Sequence, residues 1–110
     1  HGPEVFKEAV RRMSAATTEV LQRIGKGPED VARVIPHQAN RRIIDAVQRH
    51  LRMPEEKVYV NVDRFGNTGS ASVPLAMWEA VEAGAINQGD LVILTAFGAG
   101  FHWGAAAVQF

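Results

Sequence analysis

The sequence predicts an α/β domain in which helices cover the faces of one mixed, mostly parallel sheet. Three observations carry that prediction. Segments with helical spacing alternate along the chain with short valine- and isoleucine-rich runs, the order that builds parallel sheets. Residues Leu91 to Phe110 contain no Asp, Glu, Lys or Arg, but Gly98, Gly100, His102, Gly104 and Gln109 interrupt them. They therefore read as two buried strands and not as a membrane span. Finally, Gly25, Gly27-Pro28, Pro54 and Gly84 stop the helical runs where each would otherwise continue.

In chain order, Val5, Phe6, Ala9, Val10, Met13, Val20, Leu21 and Ile24 fall on one face of a long first helix. "VARVIP" is too short for a helix and is stopped by Pro36, so it reads as a buried strand ending at His37. Ile43, Ile44, Val47 and Leu51 return to helical spacing, with Asn40 as N-cap. "KVYVNV" alternates Val58, Val60 and Val62 and predicts a strand, followed by the glycine-bearing loop "RFGNTGSAS". "ASVPLAMWEAVEAG" predicts a helix with Pro74 in its first turn and Gly84 at its end. "DLVILTAF" and "FHWGAAAVQF" close the chain as two strands around "GAG". The order opens on a helix with no strand before it, so the sheet is expected to have one unfinished edge, with something missing upstream.

A chain of 110 residues is one domain's worth, able to bury roughly 65% of its unfolded surface. Twelve basic residues balance twelve acidic ones, so no global field draws nucleic acid or an anionic membrane, and electrostatic function must be local. No cysteine is present, which excludes a disulfide, thiolate metal ligands and a cysteine nucleophile within these residues. "HGPEVFKEAV" lacks a signal-peptide apolar region, so a cytoplasmic location is expected. His37, His50 and His102 lack ligand spacing, and no metal is expected.

Ligands of open α/β sheets collect beyond the carboxyl ends of strands. His37, Asn67 and Gly98-Ala99-Gly100 each follow a predicted strand, so all three can meet at one edge. Taken alone, a histidine or asparagine there more often caps or hydrogen-bonds than catalyses, and Asn67 between glycines also suits a turn. "GAGFHWG" runs into a strand and is no dinucleotide loop; "GNTGSAS" lacks the lysine of a phosphate loop. The helix after Asn40 carries Arg41, Arg42, Arg49 and Arg52 against the single acid Asp45. It reads either as a solvated face with an Asp45–Arg49 pair or as a docking surface for phosphate or an acidic protein.

Together, "VIPHQANRRII", "DRFGNTGSASVPLA" and "AFGAGFHWGAAAVQF" resemble the C-terminal half of beta-ketoacyl-acyl-carrier-protein synthase III, of the thiolase-like superfamily. The resemblance begins at "EVFKEAV" and spans nearly the whole chain as one C-terminal domain, 1–110. It implies one thiolase-like half that lacks its N-terminal counterpart, and a decarboxylating Claisen condensation that initiates fatty acid biosynthesis. A cysteine in the missing half would take an acyl group from acyl-CoA. Malonyl-acyl-carrier protein would then lose carbon dioxide and its carbanion attack the acyl-cysteine.

The family's catalytic histidine and asparagine fall on His37 and Asn67. Asn40 matches a polar residue lining the phosphopantetheine channel, and Arg42 a basic residue that docks the carrier protein, with Arg49 on the same charged helix. Phe97 matches an aromatic between the nucleophile and the donor pair, and Gly98-Ala99-Gly100 a backbone oxyanion hole. No cofactor is implied beyond CoA and phosphopantetheine thioesters as substrates; the partners implied are acyl carrier protein, the cysteine-bearing half and a second copy in a homodimer. Ala99 stands where the family commonly has glycine, and Thr68-Gly69-Ser70-Ala71-Ser72 where it often has Thr-Ser-Ala-Ala-Ser. Alone, the chain is expected to be incapable of condensation. Two other readings remain open at this point: a non-catalytic carrier-protein or CoA docking module, and a related synthase of specialised metabolism.

Overall fold

A computed structural model describes residues 2–98 and 102–110. Helix α1 spans Gly2–Arg23, strand β1 Arg33–Pro36 and helix α2 Arg41–Leu51. A four-residue helix α3, Val62–Phe65, precedes α4, Ser72–Glu82, and strands β2, Leu91–Gly98, and β3, His102–Gln109, complete the chain. The sheet order is β1-β2-β3, with β1 parallel to β2 and β3 antiparallel to β2. Among the described residues nothing pairs with the outer edge of β3, which leaves the sheet open on that side.

The strand side chains alternate between two cores. Val34, Leu91 and Ile93 meet Leu21 of α1 and Ile44 of α2 on one face of the sheet. Ile35, Val92 and Leu94 meet Ala76 and Ala80 of α4 on the other. Both faces are covered, so β1 and β2 are apolar at consecutive positions instead of at every second one. Val34, Ile35, Val92 and Ile93 are all fully buried, each contributing about 1.5–3 kcal/mol by leaving water. Ala76 and Ala80 lie one turn apart with no exposed surface, and their small side chains let α4 sit close on the sheet. The helix stops at a left-handed Gly84 (φ 77°), whose N–H and that of Ala85 bond back to Val81 and Ala80 carbonyls.

The strand expected over 57–62 is reduced to one parallel bridge between Val58 and Val34, and Val62 already begins α3. Tyr59 N–H donates to the Val34 carbonyl at 2.9 Å. The next rung of a parallel ladder would need an N–H from position 36, which is proline and has none. The side-chain amide of Gln38 takes that place. Its Nε2 donates to the Tyr59 and Pro36 carbonyls at 3.1 and 2.8 Å, and its Oε1 accepts from Asn61 and Val62 N–H at 2.8 and 3.0 Å. A period-two pattern thus continues past the point where the ladder ends.

Candidate active site

β1 and β2 end side by side, and the site is built on those ends. The His37 N–H donates to the Thr95 carbonyl at 2.8 Å, which ties the first residue after β1 to β2. Thr95 is itself buried, its hydroxyl bonded to the Met13 carbonyl of α1. The half-buried imbedding of His37 removes solvent from the imidazole and pushes its pKa below the usual histidine value, favouring the neutral ring. Its Nδ1 lies 2.5 Å from the Ser72 hydroxyl at the start of α4. Among the described residues Nε2 has no hydrogen-bond partner.

Asn67 sits on the loop between α3 and α4. Its Oδ1 accepts the Gly69 N–H at 2.9 Å, and Gly69 holds a left-handed φ of 65° that glycine adopts without strain. Glycine in place of the family's serine therefore matches the backbone here. With Oδ1 engaged, the amide's Nδ2 donors have no partner among the described residues. Asn67 is thus held through its carbonyl oxygen and His37 through Nδ1, which leaves Asn67 Nδ2 and His37 Nε2 as the atoms without a partner among the described residues.

His37, Asn67, Phe97 and Gly98 all line a cavity of about 670 Å³, whose walls include Val73, Leu94 and Ala106. The same four residues line a second cavity of about 280 Å³ that opens between α1 and α2, against Val5, Ala9, Met13 and Ile43. Phe97 is half-buried and packs on Val10, Met13 and Val47. The sequence-predicted Ala99, with Gly100, lies outside the described residues.

The remaining sequence candidates are on α2. Asn40 caps the helix, its Oδ1 accepting the Ile43 N–H at 2.9 Å, and it lines neither cavity. The Asp45–Arg49 pair does not form: Asp45 pairs with Arg41 at 3.0 Å, and Arg41 also reaches Asp63 at 2.7 Å. Arg41 thereby bridges its own helix to Asp63 of α3. Arg42, Arg49 and Arg52 are exposed and pair with no carboxylate among the described residues, while the Arg42 guanidinium lies 5.1 Å over the Phe6 ring.

Sequence reasoning missed Ser72 and the structural part of Gln38, both only 1% exposed. The available signals were a serine opening a helix beside the Asn67 loop and a glutamine next to the candidate histidine. Neither residue type is diagnostic without its partners. A network of Tyr59, Arg64 and Glu79 was likewise unseen: Arg64 forks onto Glu79 at 2.6 and 2.7 Å, and the Tyr59 hydroxyl donates to the same carboxylate at 2.6 Å. Arg64, with the Tyr59 hydroxyl, holds the Glu79 carboxyl below its ordinary range.

The mixed sheet, its helix-covered faces and the His37–Asn67 pair on one cavity at the sheet's edge define one thiolase-like half. The chain belongs to the family "3-oxoacyl-[acyl-carrier-protein (ACP)] synthase III C terminal", whose pattern matches residues 21–110. It is similar to beta-ketoacyl-[acyl-carrier-protein] synthase III of Roseiflexus sp. (strain RS-1), 50% identical over 99% of this chain and 33% of that protein. The solved 3-oxoacyl-[acyl-carrier-protein] synthase III of Aquifex aeolicus VF5 superposes with a TM-score of 0.97 at 49% identity, over 99% of this chain and 35% of that one. The Thermus thermophilus synthase III structure gives 0.96 at 55% identity, over 100% and 34%. The chain thus spans about a third of the length of the curated relatives it matches. Among the described residues no helix is long and apolar enough to cross a membrane, and no cluster of three or more His, Cys, Asp or Glu could hold a metal ion.

Proposed function

We propose that this chain is the C-terminal catalytic part of a condensing acyltransferase that joins an acyl group to malonyl-acyl-carrier protein with loss of carbon dioxide, initiating fatty acid synthesis. The observation that carries the reading is a pair of nitrogens on one cavity, His37 Nε2 and Asn67 Nδ2, that have no partner among the described residues. Cleavage of the malonyl carbon–carbon bond leaves its electron pair on the thioester as an enolate. Two fixed N–H donors lower the barrier to that charge, and losing one typically costs about 10²–10³ in rate. The neutral state of His37 leaves the site without a competing full charge, and Asn67 cannot ionise.

The enolate carbon then attacks an acyl-cysteine thioester supplied by the N-terminal part of the longer polypeptide, and the cysteine thiolate leaves. The acyl group comes from acyl-CoA. Phe97, which lines both cavities, separates the thioester arm from the acyl chamber, with Gly98 beside it. The exposed Arg42 and Arg49 dock the acidic carrier protein, their guanidinium groups paired with no carboxylate among the described residues. The assembled enzyme is a cytoplasmic homodimer using no cofactor besides its thioester substrates.

The test joins this chain in full to the N-terminal two-thirds of the Roseiflexus relative, in place of that protein's matching third. Carbon dioxide release from malonyl-carrier protein is expected, falling about a hundredfold or more with Asn67→Ala. Arg42→Glu with Arg49→Glu should raise KM for the carrier protein while leaving a malonyl-pantetheine substrate unaffected. A folded chimaera indifferent to Asn67 defeats the catalytic reading and leaves the docking-module reading in its place.

A further inference from the structure

We propose that Ser72 is a positioning residue that fixes the tautomer of His37, donating its hydroxyl proton to Nδ1 so that Nε2 carries the N–H facing the cavity. The inference rests on the reading of His37 as an N–H donor and adds the group that makes it one.

Ser72 is 1% exposed, so its hydroxyl has no water to turn to. Its Oγ has two neighbours among the described residues: the Gln38 backbone N–H at 3.2 Å and His37 Nδ1 at 2.5 Å. The Gln38 N–H can only donate, so Oγ accepts there. If Nδ1 also carried hydrogen, Oγ would accept twice and its own buried proton would have no acceptor, a costly arrangement. If Oγ donates to Nδ1, the hydroxyl proton, the Gln38 N–H and the ring lone pair are all satisfied. A neutral imidazole has one N–H, so it must then sit on Nε2. The doubly protonated ring would recreate the orphaned hydroxyl, so the contact opposes the imidazolium as well.

The sequence places this serine with purpose for the geometry. Ser72 is the first residue of α4, where the backbone turns from the Asn67 loop, and Ala76 one turn on anchors that helix to the sheet. A single short side chain thereby links the loop of one donor to the ring of the other.

The experiment measures malonyl decarboxylation by the same chimaera as Ser72→Ala, His37→Ala and the double variant, with thermal melting as the check on folding. The loss of one hydrogen bond predicts that Ser72→Ala lowers kcat about tenfold with KM little changed. In the His37→Ala background the same substitution should change the rate less than about twofold, since its effect passes through the imidazole. A fall of equal size in both backgrounds, or no fall in a normally folded Ser72→Ala protein, overturns the proposal. Should Ser72→Ala not fold, ¹⁵N-histidine NMR on the unmodified chimaera decides: a protonated Nε2 supports the assignment and a protonated Nδ1 refutes it. If His37→Ala itself leaves decarboxylation intact, the donor reading fails, whatever tautomer the spectrum shows.

Discussion

Replacing Gln38 with methionine should uncouple the two loops of the site at a measurable cost in stability. Methionine keeps the length and approximate volume of the side chain but deletes four hydrogen bonds, two donated and two accepted. The Asn61 N–H is then stranded in a buried position, while the half-buried Val62 N–H can regain some water. Unpaired buried groups cost about 1–3 kcal/mol each. Asn61 near the middle of that range and Val62 at its low end, with the Pro36 and Tyr59 carbonyls also losing a partner, bring the total to at least about 3 kcal/mol. Urea denaturation of Gln38→Met against the parent protein measures the loss, and hydrogen exchange of residues 59–66 should quicken with it. A loss under about 1 kcal/mol with unchanged exchange would refute the idea that this amide replaces the missing ladder rung. Gln38→Glu separates its two halves. One oxygen still accepts from Asn61 and Val62, but the other faces two carbonyls, so the folded carboxyl pKa rises above the unfolded value of about 4.3. Below that pH both states are protonated and the penalty is smallest; stability should fall as pH rises through it.

Three further outcomes follow from the same structure. Tyr59 is the single tyrosine, and burial first, then donation to Glu79, pushes its pKa above the ordinary 10; Glu79→Gln should lower it, read by ultraviolet titration of the phenolate. Asn40→Ala should cost about 1 kcal/mol through the lost N-cap on α2, seen in the denaturation midpoint, and should leave the decarboxylation rate little altered because Asn40 lines neither cavity. His37 has a depressed folded pKa, so its contribution to stability is full above the unfolded value of about 6.5 and is lost as pH falls through the folded one. His37→Gln should remove that part of the acid sensitivity, measured as the change in denaturation midpoint between pH 7 and 5.

The sequence by itself determined the three-layer plan. Helical spacing of Ala9, Val10, Met13 and Leu21, the apolar run ending at Pro36, and the uncharged stretch from Leu91 place their elements because side-chain periodicity is a local property. It also placed His37, Asn67 and Gly98 at one edge, where they line one cavity, although Asn67 follows the short helix α3 and not the strand expected before it. What only the tertiary structure decided are the polar contacts across the chain. Period-two valines predict a strand over 57–62, yet whether it pairs depends on Pro36 having no N–H to offer, some twenty residues away. Asp45 could meet Arg49 or Arg41 by helical spacing alone, and Asp63 on a neighbouring element settled the choice by drawing Arg41 to both. Ser72 and His37 are separated by thirty-five positions, and a serine is silent about its partner until packing removes every water it could otherwise bind. Apolar burial is written into the pattern of the chain, whereas a hydrogen bond needs two specific atoms at a fixed distance, and only the completed fold supplies the second.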